Sequence, residues 1–419
     1  MRNGVWALWP WERDGADGIV PGPRHDIFSS MPFGLVTAGI GLVIVLGAIF
    51  VLRRTRQRIR ARRTWRTAAS VVGTLTLVTG LGVGVNAYVG WVPNLEGAAI
   101  RAGLPNSFRP EAQLADQAPD ADQLGDTPIT SSATPVASAL DIPAGLDPSN
   151  ERSARGGIGR FVLPAPKALN MPGHDVLIYT PPAYDPSGAI AYPVIYLAHG
   201  SPGSAADWMA AGAPAVVDAL IAAREIPPVI LVSPGLHAVG AAESGCLDAT
   251  KPGGSQVESY LYTVVLPWVE NHLPVALDRR YTAIGGMSMG GYCAVDQGLR
   301  HNETFSTILS MLPYGEPGAA GHAMKSSQAE VDAVTPLKYI ETREELDEYP
   351  VATWFGVDAP EVNKRVGLDA QQMAAALRLR GQVVEIYVEP VGGHTWTMAI
   401  ASLPAGLRFW GQQMAADAD

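Results

Sequence analysis

The chain reads as an α/β protein, with a mostly parallel eight-stranded sheet carrying helices on both faces and two membrane-spanning helices ahead of it. Three observations predict this. From about Gly157 onward, apolar runs rich in β-branched residues alternate with helix-length segments, as they do when strands are joined by helical crossovers. Residues able to do chemistry fall just past several of those runs, which is where a sheet of this kind places its site. Near the N-terminus, two long uncharged stretches flank an arginine-rich segment, the pattern of a helical hairpin in a membrane.

Residues 1–32 are a tail containing four acids, which argues against a cleavable signal peptide. Phe33 to Leu52 is twenty residues without a charge, long enough for the ~30 Å apolar layer of a bilayer. Thr67 to Val92 is a second uncharged stretch, and residues 53–66 between them hold eight arginines and no acid. Such a loop stays in the cytoplasm, so both termini are expected outside it, with Trp65, Tyr88 and Trp91 at the interfaces. The net charge is −10 and the loop supplies +8, so the remainder carries −18. No basic face for nucleic acid is left, and the basic run itself is a topology signal. Residues 93–150 are rich in Pro, Ala, Asp, Ser and Thr and read as an extended linker to a domain at 151–419.

Within that domain the expected strands are Gly159–Leu163, Asp175–Thr180, Pro193–Ala198, Pro228–Ser233, Tyr281–Gly286, Phe305–Met311, Val351–Val357 and Val383–Val388. Helices are expected over Ala205–Arg224, Gln256–His272, Met289–His301, Asp369–Arg380 and Trp396–Met414.

The fifth strand leads into Gly286-Met287-Ser288-Met289-Gly290-Gly291. A Gly-Xaa-Ser-Xaa-Gly turn between strand and helix lifts the serine out of the sheet on a sharp elbow, the nucleophile position of an α/β-hydrolase fold. The glycines are needed where strand and helix pass close together. His199-Gly200-Ser201-Pro202-Gly203 follows the third strand. By position, the Ser201 and Met289 amides would form the oxyanion hole, and His199 is expected to be structural. Gly392-Gly393-His394 follows the last strand, so His394 can reach Ser288 as general base. Chain order in this fold puts the acid between them. Asp358 stands at the end of the seventh strand and Glu361 is the alternative.

These residues resemble the esterase D and secreted mycolyltransferase group of α/β-hydrolases. The likeness is carried by Pro193-Val194-Ile195-Tyr196-Leu197-Ala198-His199-Gly200, Asp207-Trp208, Gly286 to Ala294 with Arg300-His301, and Gly392-Gly393-His394-Thr395-Trp396. It spans roughly residues 157–415 and implies Ser288, Asp358 and His394 as a triad with the Ser201 and Met289 amides as oxyanion donors. Mycolyltransferases usually carry an acidic residue where this chain has His199, and they lack a two-helix anchor. The resemblance is therefore closer to membrane-anchored envelope esterases of high-GC Gram-positive bacteria. Cys246 and Cys293, the only cysteines, lie near the top of the sheet in this fold, and related esterases carry the pair together. With the domain outside the cytoplasm, where disulfides persist, a Cys246–Cys293 bridge is expected.

The leading expectation is a membrane-anchored extracytoplasmic serine esterase acting on an acyl ester, a lipid or glycan of the cell envelope being the natural source. Acyl transfer to a sugar or envelope glycan is the alternative, and a non-catalytic binding module on the same scaffold is a second. No cofactor is implied, and two cysteines and eight scattered histidines show no metal-ligand spacing.

Overall fold

The structure is a computed structural model that describes residues 30–54, 60–103, 134–135, 155–171, 173–239, 243–390 and 392–416. Most of the N-terminal tail, the middle of the arginine loop and most of the expected linker lie outside the described residues.

Helices α1 (Met31–Arg54) and α2 (Arg60–Val89) form an antiparallel hairpin. Met31–Phe50 and Thr67–Val89 are long and apolar enough to cross a membrane. Small residues let the two backbones touch. A Cβ on Gly41 would lie 2.3 Å from the Leu77 amide nitrogen, and one on Gly80 would lie 2.2 Å from that of Ala38, the close approach that brings helices together in lipid. The outward faces leave Leu35, Val36, Val43, Leu75 and Val78 exposed.

Residues 95–101, the start of the expected linker, are instead helix α3 (Leu95–Arg101), capped by the Asn94 side chain on the Gly97 amide. The glycine matters for docking: a Cβ on Gly97 would lie 2.3 Å from the Ala210 carbonyl oxygen. This helix therefore belongs to the body of the domain.

The sheet comprises β1 (Gly157–Leu163), β2 (His174–Thr180), β3 (Val194–Ala198), β4 (Ile230–Pro234), β5 (Thr282–Met287), β6 (Thr307–Met311), β7 (Ala352–Asp358) and β8 (Val383–Glu389). Their order is β8-β7-β6-β5-β3-β4-β2-β1. β1 pairs antiparallel with β2 and β2 with β4, and the remaining neighbours are parallel. All eight strands fall within about two residues of their expected ends.

The longer helices of the domain are α4 (Ala213–Ala222), α5 (Met289–Arg300), α6 (Arg365–Leu379) and α7 (Trp396–Ala416). Gly298 of α5 packs on Ile284 and Ile308, whereas Gly406 of α7 packs on Trp354. Ile308 pairs with Thr353, the neighbour of Trp354. Alternation along the strand then puts α5 and α7 on opposite faces.

Two expected helices depart from a single regular helix. The helix expected over Ala205–Arg224 breaks into Asp207–Ala211 and α4, because Gly212 takes φ 108°, which ends one helix and starts the next. The one expected over Gln256–His272 continues, but Leu261–Val265 widens to a π turn just before Pro267. Proline has no N–H to give, and the wider turn takes up that loss.

Candidate active site

Register sets the site. Ala198 pairs with Gly286, Met287 with Met311, and Met311 with Gly356. The carboxyl ends of β3, β5, β6 and β7 are thus level, and the loops leaving them converge.

Ser288 sits between β5 and α5 with φ 61° and ψ −118°, a conformation that a residue with a Cβ rarely adopts. It is held by Ser288 N–H donating to Met311 O at 2.9 Å and by Tyr292 N–H donating to Ser288 O at 3.0 Å. The flanking glycines are required. A Cβ on Gly286 would lie 2.0 Å from the Gly290 carbonyl oxygen, and one on Gly290 would lie 2.3 Å from that of Ala198.

His394 Nε2 lies 2.8 Å from Ser288 Oγ. The turn that brings it there uses Gly392 at φ 136° and Gly393 at φ 63°, and the Thr395 hydroxyl closes it by donating to Gly392 O at 2.6 Å. His394 stands at the open mouth of the site. Crowding by neighbouring atoms still holds its pKa below the usual 6.5, opposed by the charge of Glu361. A neutral imidazole is the form that can accept the serine proton.

Asp358 ends β7, paired in register with Glu389, five residues before His394. Its carboxylate is fully buried and neither oxygen has a hydrogen-bond partner. Burial raises its pKa, the nearby Glu361 adds to this, and the Gly393 amide partly offsets both. Glu361 is engaged elsewhere, accepting from Lys364 Nζ at 2.8 Å. Ser288 and His394 are thus brought together, and no hydrogen bond joins His394 to either acid.

On the other side of Ser288, a Cβ on Gly200 would lie 3.3 Å from Met287 O and 3.7 Å from Ser288 Cβ, so the loop after β3 lies directly against Ser288. Ser201 and Met289 both line the small cavity there, with His237 and Glu243. Met289 opens α5, and the first N–H groups of a helix have no acceptor within it. His199 is structural, as expected. It donates Nδ1–H to Gly200 O at 2.8 Å and accepts at Nε2 from the Leu236 amide at 3.1 Å. Burial drives its pKa down to about 4. Its ring stacks on His237 at 4.5 Å.

The Cys246–Cys293 bridge is present, with Cα atoms 5.6 Å apart, within the range a disulfide spans. It ties the loop after β4 to α5, whose first residue follows Ser288.

Two features were not anticipated. Tyr314, just past β6, places its ring 6.0 Å from that of His394, and the Arg365 guanidinium lies over the Tyr314 ring, 5.3 Å from its centre. The rule that useful residues follow strand ends would have found it. Asp207, fully buried, is paired to Arg101 at 2.6 Å, a contact across the sequence that no local pattern encodes.

Residues 172–410, more than half of the chain, match the family described as Putative esterase. Among solved structures, a ferulic acid esterase superposes with a TM-score of 0.54 at 24% identity, covering 62% of this chain and 99% of its own. An S-formylglutathione hydrolase from Agrobacterium tumefaciens gives 0.49 at 17% identity, covering 62% and 96%. An uncharacterized protein of Corynebacterium glutamicum is 29% identical over 145 residues. That match covers 34% of this chain and 33% of the relative, so the chain matches about a third of the length of that protein. With a serine elbow on a mostly parallel sheet and a family match spanning it from β2 to α7, the chain belongs to this esterase family and is an esterase-family hydrolase.

Proposed function

We propose that this protein is a membrane-anchored, extracytoplasmic serine esterase that cleaves an acyl ester through an acyl-enzyme. The observation that carries the reading is His394 Nε2 at 2.8 Å from Ser288 Oγ on a strained elbow. His394 removes the hydroxyl proton as Ser288 attacks the ester carbonyl, and the Ser201 and Met289 amides take the developing oxyanion. The C–O bond to the alcohol breaks as His394 passes it the proton. Water, deprotonated by the same imidazole, then releases the acid. Asp358 orients His394. A fully buried carboxylate without a partner is costly unless something completes it, and the reading assigns that part to the imidazole Nδ1–H of His394.

His394 at the open mouth favours water as the acceptor, so hydrolysis is preferred to acyl transfer. Occupied serine, histidine and acid positions argue against a purely binding role. The two apolar helices, the eight-arginine loop between them and the disulfide support anchoring with the domain outside the cytoplasm.

A fluorophosphonate probe should label wild-type protein at Ser288, read by peptide mass spectrometry. His394→Ala should lower p-nitrophenyl butyrate turnover by about 10³-fold or more. Folded wild-type protein that neither labels nor turns over would sink the esterase reading.

A further inference from the structure

The loop after β3 is held from two sides. His237 Nε2 donates to Gly203 O at 2.6 Å. Opposite, the Ser204 hydroxyl donates to Asp207 Oδ1 at 2.8 Å and the Asp207 amide donates to Ser204 O at 3.1 Å. The fit is tight. A Cβ on Gly203 would lie 2.3 Å from Gly200 O, 2.8 Å from Asp207 Oδ2 and 2.9 Å from His199 Nδ1. Gly200 in turn rests against Ser288, so a displacement of Asp207 passes through three residues to the nucleophile.

Asp207 has no exposure to solvent, and burial of that kind penalises its charged form. Its pKa is raised for this reason, and Arg101 opposes the rise, with Ser204 adding to that effect. Arg101 Nη2 reaches Asp207 Oδ1 at 2.6 Å. The guanidinium also lies 5.4 Å from the centre of the Trp91 ring. Arg101 ends α3, and Gly90, one residue beyond α2, packs on Thr397 near the start of α7, where a Cβ would lie 2.3 Å from its hydroxyl oxygen. Residues 90–101 therefore touch both halves of the site, the loop after β3 and the helix after His394.

Arg101 lies 71 residues before the family match begins (172 − 101). The family portion of the chain thus contains a buried charge whose cation is supplied from outside it.

We propose that Arg101 is a positioning residue for catalysis: by neutralising Asp207 it holds the loop that presents the Ser201 amide, so the segment leaving the membrane hairpin is part of the working site. This rests on the esterase reading above. Without the guanidinium, Asp207 either takes up a proton or draws in water. Both change its hold on Ser204, and small errors in donor placement are expensive for a developing oxyanion.

The test uses the full chain in detergent micelles, with p-nitrophenyl butyrate as substrate and a trifluoromethyl ketone of matching chain length as the oxyanion mimic. Arg101→Ala should lower kcat by about 10- to 100-fold while KM moves less than about threefold. Inhibition by the ketone should weaken in step with kcat, because the mimic uses the same donors. Arg101→Lys should recover kcat to within about threefold of wild type, since a single-point contact needs the charge more than the fork. A purely structural role would lower Tm and leave kcat and ketone binding of the folded fraction unchanged, and that result would overturn the proposal. Should Arg101→Ala not fold, Arg101→Gln and Arg101→Lys are compared where both are folded: lower kcat for Gln supports the proposal and equal kcat rejects it. An inactive, unlabelled wild type would instead remove the esterase reading, and this proposal with it.

Discussion

At the scale of residues, Ser288 and Asp358 both carry a cost that the surrounding structure must meet. The left-handed φ of Ser288 costs of the order of 1–3 kcal/mol and persists because neighbours over-determine it. The Met311 carbonyl, the start of α5 and two glycines that admit no Cβ do so here. Asp358 is buried without a partner, whereas Glu361 is partly exposed and satisfied by Lys364. In the proposed mechanism the acid that serves His394 is the one left without a partner, Asp358. Asp358→Asn should reduce kcat by about 10³- to 10⁴-fold, as when a triad acid can no longer hold the imidazole tautomer. Glu361→Gln should change it by less than about tenfold, because Glu361 acts on His394 only through its charge. Steady-state kinetics on the two variants decide it, and a larger loss for Glu361→Gln would reverse the assignment.

At the scale of elements, the bridge between Cys246 and Cys293 joins the loop after β4 to α5 and closes 47 residues of chain. Restricting the unfolded chain over a loop of that length contributes about 4 kcal/mol. Replacing both cysteines by serine should lower the unfolding free energy by about 2–4 kcal/mol in a denaturant titration; an unchanged midpoint would show that the loop is held by other contacts, such as Gln297 Nε2 donating to Cys246 O at 3.2 Å. The strands were legible because each carries a compact β-branched run. The Ser288 elbow and the His394 turn were legible because glycine must stand where backbones touch. What was not legible is long-range. Gly212 looks like any helix-interrupting glycine until its φ of 108° is seen, and nothing near Asp207 announces that its cation lies 106 residues earlier. Residues 95–101 looked like linker because a seven-residue helix has too short a period to register, and its stability comes from docking on Ala210 and Asp207.

At the scale of the whole molecule, the hairpin and the esterase domain meet at the carboxyl edge of the sheet. Gly90 rests on Thr397, Gly97 on Ala210 and Arg101 on Asp207, all in the helices that follow β3 and β8. The site edge of the domain and the end of α2 are therefore neighbours. In the proposed topology the arginine loop stays in the cytoplasm and that edge faces outward from it. Orientation can be read with introduced cysteines, since the two native ones are bridged. Leu379, at the end of α6, is 82% exposed, and Gln57 lies in the arginine loop. Leu379→Cys should react with a membrane-impermeant maleimide on intact cells, whereas Gln57→Cys should react only after the membrane is opened. The reverse pattern would place the disulfide-bearing domain in the reducing cytoplasm, where such a bridge does not normally persist, and would refute the topology.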